Sequence, residues 1–148
     1  ELKPSRQECP ETAVKALLRP FCHLCPEATH DTEFLAAIGG SLDAFPTADR
    51  LAAFAGVSPA PRDSGKVSGN LHRPQRYHRR LQRVFYTSAL LSIQRDPNSR
   101  AFYDRKRAEG KRHTQAVIAL ARRRVNVLWA LIRDRRCYEV APPATKAA

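Results

Sequence analysis

The chain has 148 residues, of which 43% are hydrophobic and 27% charged; that is enough apolar side chain to bury a core in one compact domain or two small ones, and too much for a compositionally disordered chain. Its net charge of +12 and pI near 10.3 describe a self-repelling surface of the kind that answers an anionic partner, nucleic acid first and an acidic membrane second. No apolar run reaches the roughly 18 residues of a spanning helix, and the opening ELKPSRQECPE lacks the apolar stretch of a secretory leader, so no membrane-spanning segment and a cytoplasmic location are expected.

Residues 1–30 are punctuated by Pro4, Pro10, Pro20 and Pro26, and only residues 11–19 between them have a helical look. Within this stretch, Cys22-His23-Leu24-Cys25 has the spacing of half a zinc site, which Cys9 and His30 could complete. A second such pair is missing, so free, reduced thiols are the expectation and no metal is assigned. Asp31 is placed to cap a short helix through Ile38, stopped by Gly39-Gly40. Thr47 is placed to cap another, DRLAAFA, ended by Gly56, with Phe45 folding back as a hydrophobic staple.

Residues 57–74, VSPAPRDSGKVSGNLHRP, are rich in Pro, Gly and Ser and read as a long loop without strands, a kind of segment that is usually functional. An amphipathic helix follows over residues 76–94. Leu81, Val84, Phe85, Ser88, Leu91 and Ser92 share one arc, and Arg76, Arg79, Arg80 and Arg83 another. Asp96-Pro97 signals a cap and first-turn proline for a helix through Glu109, with Gly110 past its end. Thr114 is then expected to cap the longest helix, over residues 115–134. Val117, Leu120, Ala121, Val125, Leu128, Leu131 and Ile132 make its apolar face, and Arg124 falls inside that face, either snorkelling or pointing into a cleft. The tail APPATKAA is expected to fray. The fold class is mostly α: a small helical domain with a long functional loop between helices.

Charge is unevenly spread. Residues 1–60 carry five Lys/Arg against eight Asp/Glu, whereas residues 61–136 carry twenty against five. Carboxylates are too few for ion pairing along the helices to absorb these cations, so the basic half reads as a phosphate-binding face. Its candidates are Arg62, Lys66, Arg73, Arg76, Arg79, Arg80, Arg83, Arg105, Lys106, Arg107, Lys111 and Arg112, together with the run Arg122-Arg123-Arg124. Tyr77, Phe85, Tyr86, Phe102 and Tyr103 lie among them as possible stacking platforms, Phe85 and Phe102 being better read as core. His72, His78 and His113 can move protons or touch phosphate, but nothing pairs them into a triad. In PRDSGK, Ser64 lies beside Gly65 and between Arg62 and Lys66. A hydroxyl attacking a phosphodiester needs such flanking cations, because charge grows on the non-bridging oxygens. An ordinary loop serine is the plainer alternative.

Several stretches in order, LAAFAGVSPAPRDSGKVSG, Arg79-Arg80-Leu81, DPNSRAFYDRKRAEGK and ALARRRVNVLWALIRD, resemble the C-terminal domain of bacterial insertion-sequence transposases. These pair an N-terminal DEDD (Holliday-junction-resolvase-like) domain with a C-terminal serine domain. The resemblance covers residues 35–138, leaving 1–34 as a divergent, Pro-rich segment and 139–148 as a tail. It implies that Ser64 is a nucleophile forming a phosphoserine–DNA link, with Arg62, Lys66 and the arginine stripe on the nucleic-acid backbone. It also implies DNA, a guide RNA, a DEDD domain or full-length transposase and a homo-oligomer on DNA as partners. Mg²⁺ belongs to the DEDD domain and no cofactor to this chain. Nothing before Leu35 resembles a DEDD domain, and CPEATHDTEF replaces the family's glycine-rich turn. A truncated domain, inactive alone, is therefore expected, and the absence of Met agrees. The alternatives are a non-catalytic DNA- or RNA-binding module and a basic ribosome-associated protein, which leaves the SGK loop unexplained.

Overall fold

The computed structural model describes residues 30–39, 42–66 and 68–134. Over them the chain forms α1 (His30–Ile38), α2 (Ala48–Phe54), β1 (Ala60–Pro61), β2 (Leu71–His72), α3 (Arg79–Arg95), α4 (Pro97–Ala108) and α5 (His113–Arg133). The mostly helical class is as expected. The predicted helix over residues 11–19 and the tail lie outside the described residues.

Local chemistry sets most boundaries. Thr47 caps α2, its side chain accepting the Arg50 N–H at 3.3 Å. Asp96 ends α3 by donating its N–H to the Ser92 carbonyl at 2.9 Å. Its carboxylate then opens α4, accepting the N–H groups of Asn98 and Ser99 at 3.0 and 3.1 Å, with Pro97 in the first turn. Gly110, at φ +82°, stops α4 as expected.

Three helix starts differ from the sequence-based expectation. α1 opens at His30, so Asp31 lies inside it. α3 opens at Arg79, three residues late, because His78 extends its backbone and accepts the Leu81 N–H on Nδ1 at 3.1 Å. Arg76 is therefore off the helix and on the approach to it. α5 opens at His113, where the Arg112 N–H is satisfied by the Gln115 side chain at 3.0 Å, and Thr114 is simply a first-turn residue.

The core lies between α3 and α5. Leu81, Val84, Phe85 and Ala89 of α3 face Val117, Leu120, Ala121, Val125 and Leu128 of α5, all buried. α2 and α4 also pack on α5, and α1 lies on α3, where Phe34 meets Phe85 edge-on at 5.8 Å. Leu131 and Ile132 are only half-buried. Phe45 is not a staple over the first turn of α2. Its ring packs on Phe54 at the other end of that helix, centroids 5.1 Å apart, and its carbonyl accepts the Trp129 indole N–H at 2.8 Å.

Arg124 neither snorkels nor reaches the surface: it is 8% exposed, between α3 and α5, with Nε donating to the Ser88 hydroxyl at 2.8 Å. A buried guanidinium is tolerated only when its donors are met. Replacing Ser88 by Ala is therefore expected to lower the unfolding free energy by about 1–3 kcal/mol, read as a lower urea midpoint at unchanged slope. An unchanged midpoint would show that this bond does not hold the charge.

Candidate nucleic-acid interface

Residues 57–74 are not a structureless loop. Two-residue strands pair antiparallel, Ala60 opposite His72 and Pro61 opposite Leu71. The Arg62 N–H extends the ladder to the Asn70 carbonyl at 2.8 Å, and the Asp63 carboxylate accepts the Asn70 N–H at 3.1 Å. A short hairpin results, with Ser64, Gly65 and Lys66 at its tip. The strands escape sequence detection because each is too short to show a period of two.

The hairpin is fastened at its base. α2 ends with Gly56 at φ +68°, the Gly56 N–H reaching the Ala53 carbonyl and the Val57 N–H the Ala52 carbonyl, each at 3.0 Å. Tyr77, on the way out of the hairpin, lies on Gly56 so closely that a Cβ there would stand 2.5 Å from its ring. The His78 N–H donates to the Phe54 carbonyl at 2.8 Å, and Gln82 of α3 donates to the Gly56 carbonyl at 3.1 Å. The imidazole of His78 stacks on Phe54 at 5.3 Å. Entry and exit strands thus meet at one point, on the end of α2 and the start of α3.

At the tip, Arg62, Ser64 and Lys66 are exposed, and among the described residues none has a side-chain partner. Among the described residues, no imidazole or carboxylate is hydrogen-bonded to the Ser64 hydroxyl. Arg76, Arg79, Arg80 and Arg83 are exposed as well, and no carboxylate among the described residues pairs with them. Arg73 differs: its Nη2 donates to the Tyr77 hydroxyl at 2.7 Å. Tyr77 and Gln82 escape detection as supports because their contact with Gly56 is long-range and leaves no local pattern.

The remaining candidates gather at the corner between α4 and α5. Phe102, half-buried, has the guanidinium carbons of Arg105 and Arg123 each 5.1 Å from its ring centroid and Lys106 Nζ at 5.6 Å. Lys106 also donates to Glu109 at 2.8 Å. That bond holds the Glu109 carboxyl below its usual range, opposed by slight desolvation and helped by the charges of Lys106, Lys111 and Arg105. Arg107 donates to the Lys111 carbonyl at 2.8 Å, while Arg112 is exposed. Tyr103 and His113 share a hydrogen bond of 2.8 Å, so neither stands alone as a stacking or proton-shuttling group. Phe85 is core.

The run Arg122-Arg123-Arg124 separates three ways. Arg122 is tied to Asp49, to the Ala48 carbonyl at 3.2 Å and to Asn126 at 2.6 Å; Arg123 faces outward over Phe102, and Arg124 is buried. The cysteines of the zinc reading lie outside the described residues, among which no group of three or more His, Cys, Asp and Glu approaches metal-binding geometry. No helix there is long and apolar enough to cross a membrane.

Residues 29–104 match the model of the family described as Transposase IS116/IS110/IS902. The chain is 66% identical over 116 residues to the uncharacterized 42 kDa protein of insertion element IS900 from Mycobacterium paratuberculosis, covering 78% of this chain and 28% of that protein. It is 53% identical over 116 residues to the 44.8 kDa protein of insertion element IS116 from Streptomyces clavuligerus, covering 78% and 29%. It is 45% identical over 105 residues to the 43.6 kDa protein of insertion element IS110 from Streptomyces coelicolor, covering 71% and 26%. The chain thus spans just over a quarter of the length of these relatives.

The closure of the hairpin by Asp63 carries a prediction. Asp63→Ala should raise the hydrogen-exchange rate of the Asn70 amide toward that of an open loop while the α5 core amides keep their protection. Unchanged exchange at Asn70 would mean that the backbone ladder alone closes the tip.

Proposed function

Because this chain belongs to the IS116/IS110/IS902 transposase family, we propose that its helical domain binds DNA through the hairpin and the start of α3, and that Ser64 is the nucleophile that breaks the strand. The observation that carries the reading is an exposed serine at the tip of a hairpin fastened at its base. Cations lie on both sides of it, and a helix follows whose Arg79, Arg80 and Arg83 have no carboxylate partner among the described residues. In the attack, a bond forms between Ser64 Oγ and phosphorus as the bond from phosphorus to a deoxyribose oxygen breaks. The hydroxyl proton passes to a base and the departing oxygen takes one up, leaving DNA esterified to the serine. Arg62 and Lys66 flank the position where charge grows on the non-bridging oxygens, and Gly65 keeps the backbone slim enough for a duplex to approach.

In this reading the rest of the reaction lies outside the chain. A DEDD domain holding Mg²⁺, a guide RNA and further copies of the transposase complete the assembly on DNA, in the cytoplasm of a bacterium. The arginines of α3 supply grip more than chemistry, since phosphate contacts position a protein without reading bases.

Two measurements test this. With the chain joined to a DEDD domain, Ser64→Ala is expected to abolish the protein–DNA adduct that survives denaturant and leave binding intact. Recombination by that variant would overturn the nucleophile and leave a non-catalytic binding module. Separately, log affinity of the 148-residue chain for duplex DNA is expected to fall linearly with log salt. Replacing Arg79, Arg80 and Arg83 together by Ala should flatten that slope by about 0.9 for each contact removed; a slope that does not move would take these arginines off the DNA.

A further inference from the structure

Among the cations of the hairpin and the approach to α3, Arg73 alone is held by another side chain of the described residues. Its Nη2 donates to the Tyr77 hydroxyl at 2.7 Å, and its guanidinium carbon lies 5.6 Å from the centroid of the same ring. Tyr77 is itself immobilised. Its ring occupies the space that a Cβ on Gly56 would fill, and the next residue, His78, is bonded through its N–H to Phe54. The chain of support therefore runs from the buried end of α2, through a glycine and a tyrosine ring, to an exposed guanidinium.

We propose that Arg73 is a pre-positioned phosphodiester contact and that Tyr77, seated on Gly56, is the residue that positions it. Among the described residues, nothing else accepts from the tyrosine hydroxyl hydrogen or from the guanidinium N–H groups apart from the one given to Tyr77, and Arg73 is exposed. No carboxylate among the described residues pairs with Arg73. A planar fork beside a hydroxyl donor matches the oxygens of a phosphodiester. Because the fork is already fixed, binding loses less side-chain freedom here than at the untethered arginines of α3.

The ladder bounds how far apart the two positions lie along the hairpin. Arg73 leaves the hairpin next to the Ala60–His72 row, and Ser64 lies four residues of extended chain beyond that row, at most about 13 Å away. Arg73 accordingly serves a phosphate flanking the one at the tip and sets the register of the strand against Ser64. The inference rests on this face being a nucleic-acid surface; it does not need Ser64 to react.

Affinity of the 148-residue chain for a short DNA duplex, measured across a salt series, tests it. Arg73→Ala is expected to weaken binding on the order of tenfold and to flatten the log–log salt slope by about 0.9. Tyr77→Phe keeps the ring on Gly56 and the charge on the arginine. It is expected to weaken binding roughly three- to tenfold at unchanged slope and unchanged thermal midpoint. In the Arg73→Ala background, Tyr77→Phe should cost at most the hydroxyl's own contact, less than it costs in the parent chain. Equal losses in both backgrounds, or an Arg73→Ala chain that binds like the parent, would overturn the proposal. Parent binding that does not respond to salt would instead remove the nucleic-acid reading on which it rests.

Discussion

One helix face carries the architecture. Val117, Leu120, Ala121, Val125 and Leu128 recur on α5 at three- and four-residue spacing and are all buried, each valine and leucine stabilising the fold by about 1.5–3 kcal/mol relative to exposure. α2, α3 and α4 all pack on this helix. That apolar burial must outweigh a charge excess that opposes compaction, since the eighteen Lys and Arg of residues 61–134 share one small body. The charges are tolerated because the helical repeat sends most of them outward. The two arginines of α5 turned inward are bonded, Arg122 to Asp49 and Arg124 to Ser88. A one-residue shift of α5 would exchange Arg123 for Arg124 in the core and leave a guanidinium there without its hydroxyl.

The same framework explains why a two-residue hairpin can hold a shape at all. A free hairpin of this size is marginal in water. Here its two ends are drawn together by contacts outside it, Tyr77 on Gly56 and Gln82 on the Gly56 carbonyl, so closing the loop is largely accomplished by α2 and α3 packing on α5. Order at the tip is thus a consequence of helix packing more than of strand pairing, and a core mutation far from Ser64 acts on the tip through its base.

What could be read from the chain itself follows from the range of each interaction. Caps are local, so Thr47, Asp96-Pro97 and Gly110 are legible from single residues and their neighbours. The buried faces of α3 and α5 are legible from periodicity, with Leu91, Leu131 and Ile132 less covered than the pattern suggests. His78 is not legible as a cap because histidine is an uncommon one, and Arg112 is not because its N–H is met by the side chain of Gln115. The hairpin is hidden by its shortness and by Pro61 in a strand. Ser64 stands out through its neighbours and through a family resemblance, whereas its support does not. The Gln82–Gly56 bond spans 26 positions and the Arg122–Asp49 pair 73, and no window of sequence contains either.

In the proposed reading, two kinds of cation divide the labour of holding a polyanion. Arg79, Arg80 and Arg83 are exposed on a helix, without carboxylate partners among the described residues, and each pays side-chain entropy when it settles on a phosphate. Such contacts are adaptable, fall away with salt and tolerate any sequence, which suits capture. Arg73 has that entropy largely removed in advance by the tyrosine beneath it, so its contact is demanding in place and angle. A strand captured loosely by α3 and held at one fixed guanidinium has its register determined at the base of the hairpin. In the proposed reaction that register matters more than grip, because a hydroxyl attacks phosphorus only from within a narrow range of distances and angles. Glycine at position 56 is thereby tied, through sterics, to the chemistry proposed at position 64: any Cβ there would lift Tyr77, and with it the arginine proposed to set the strand.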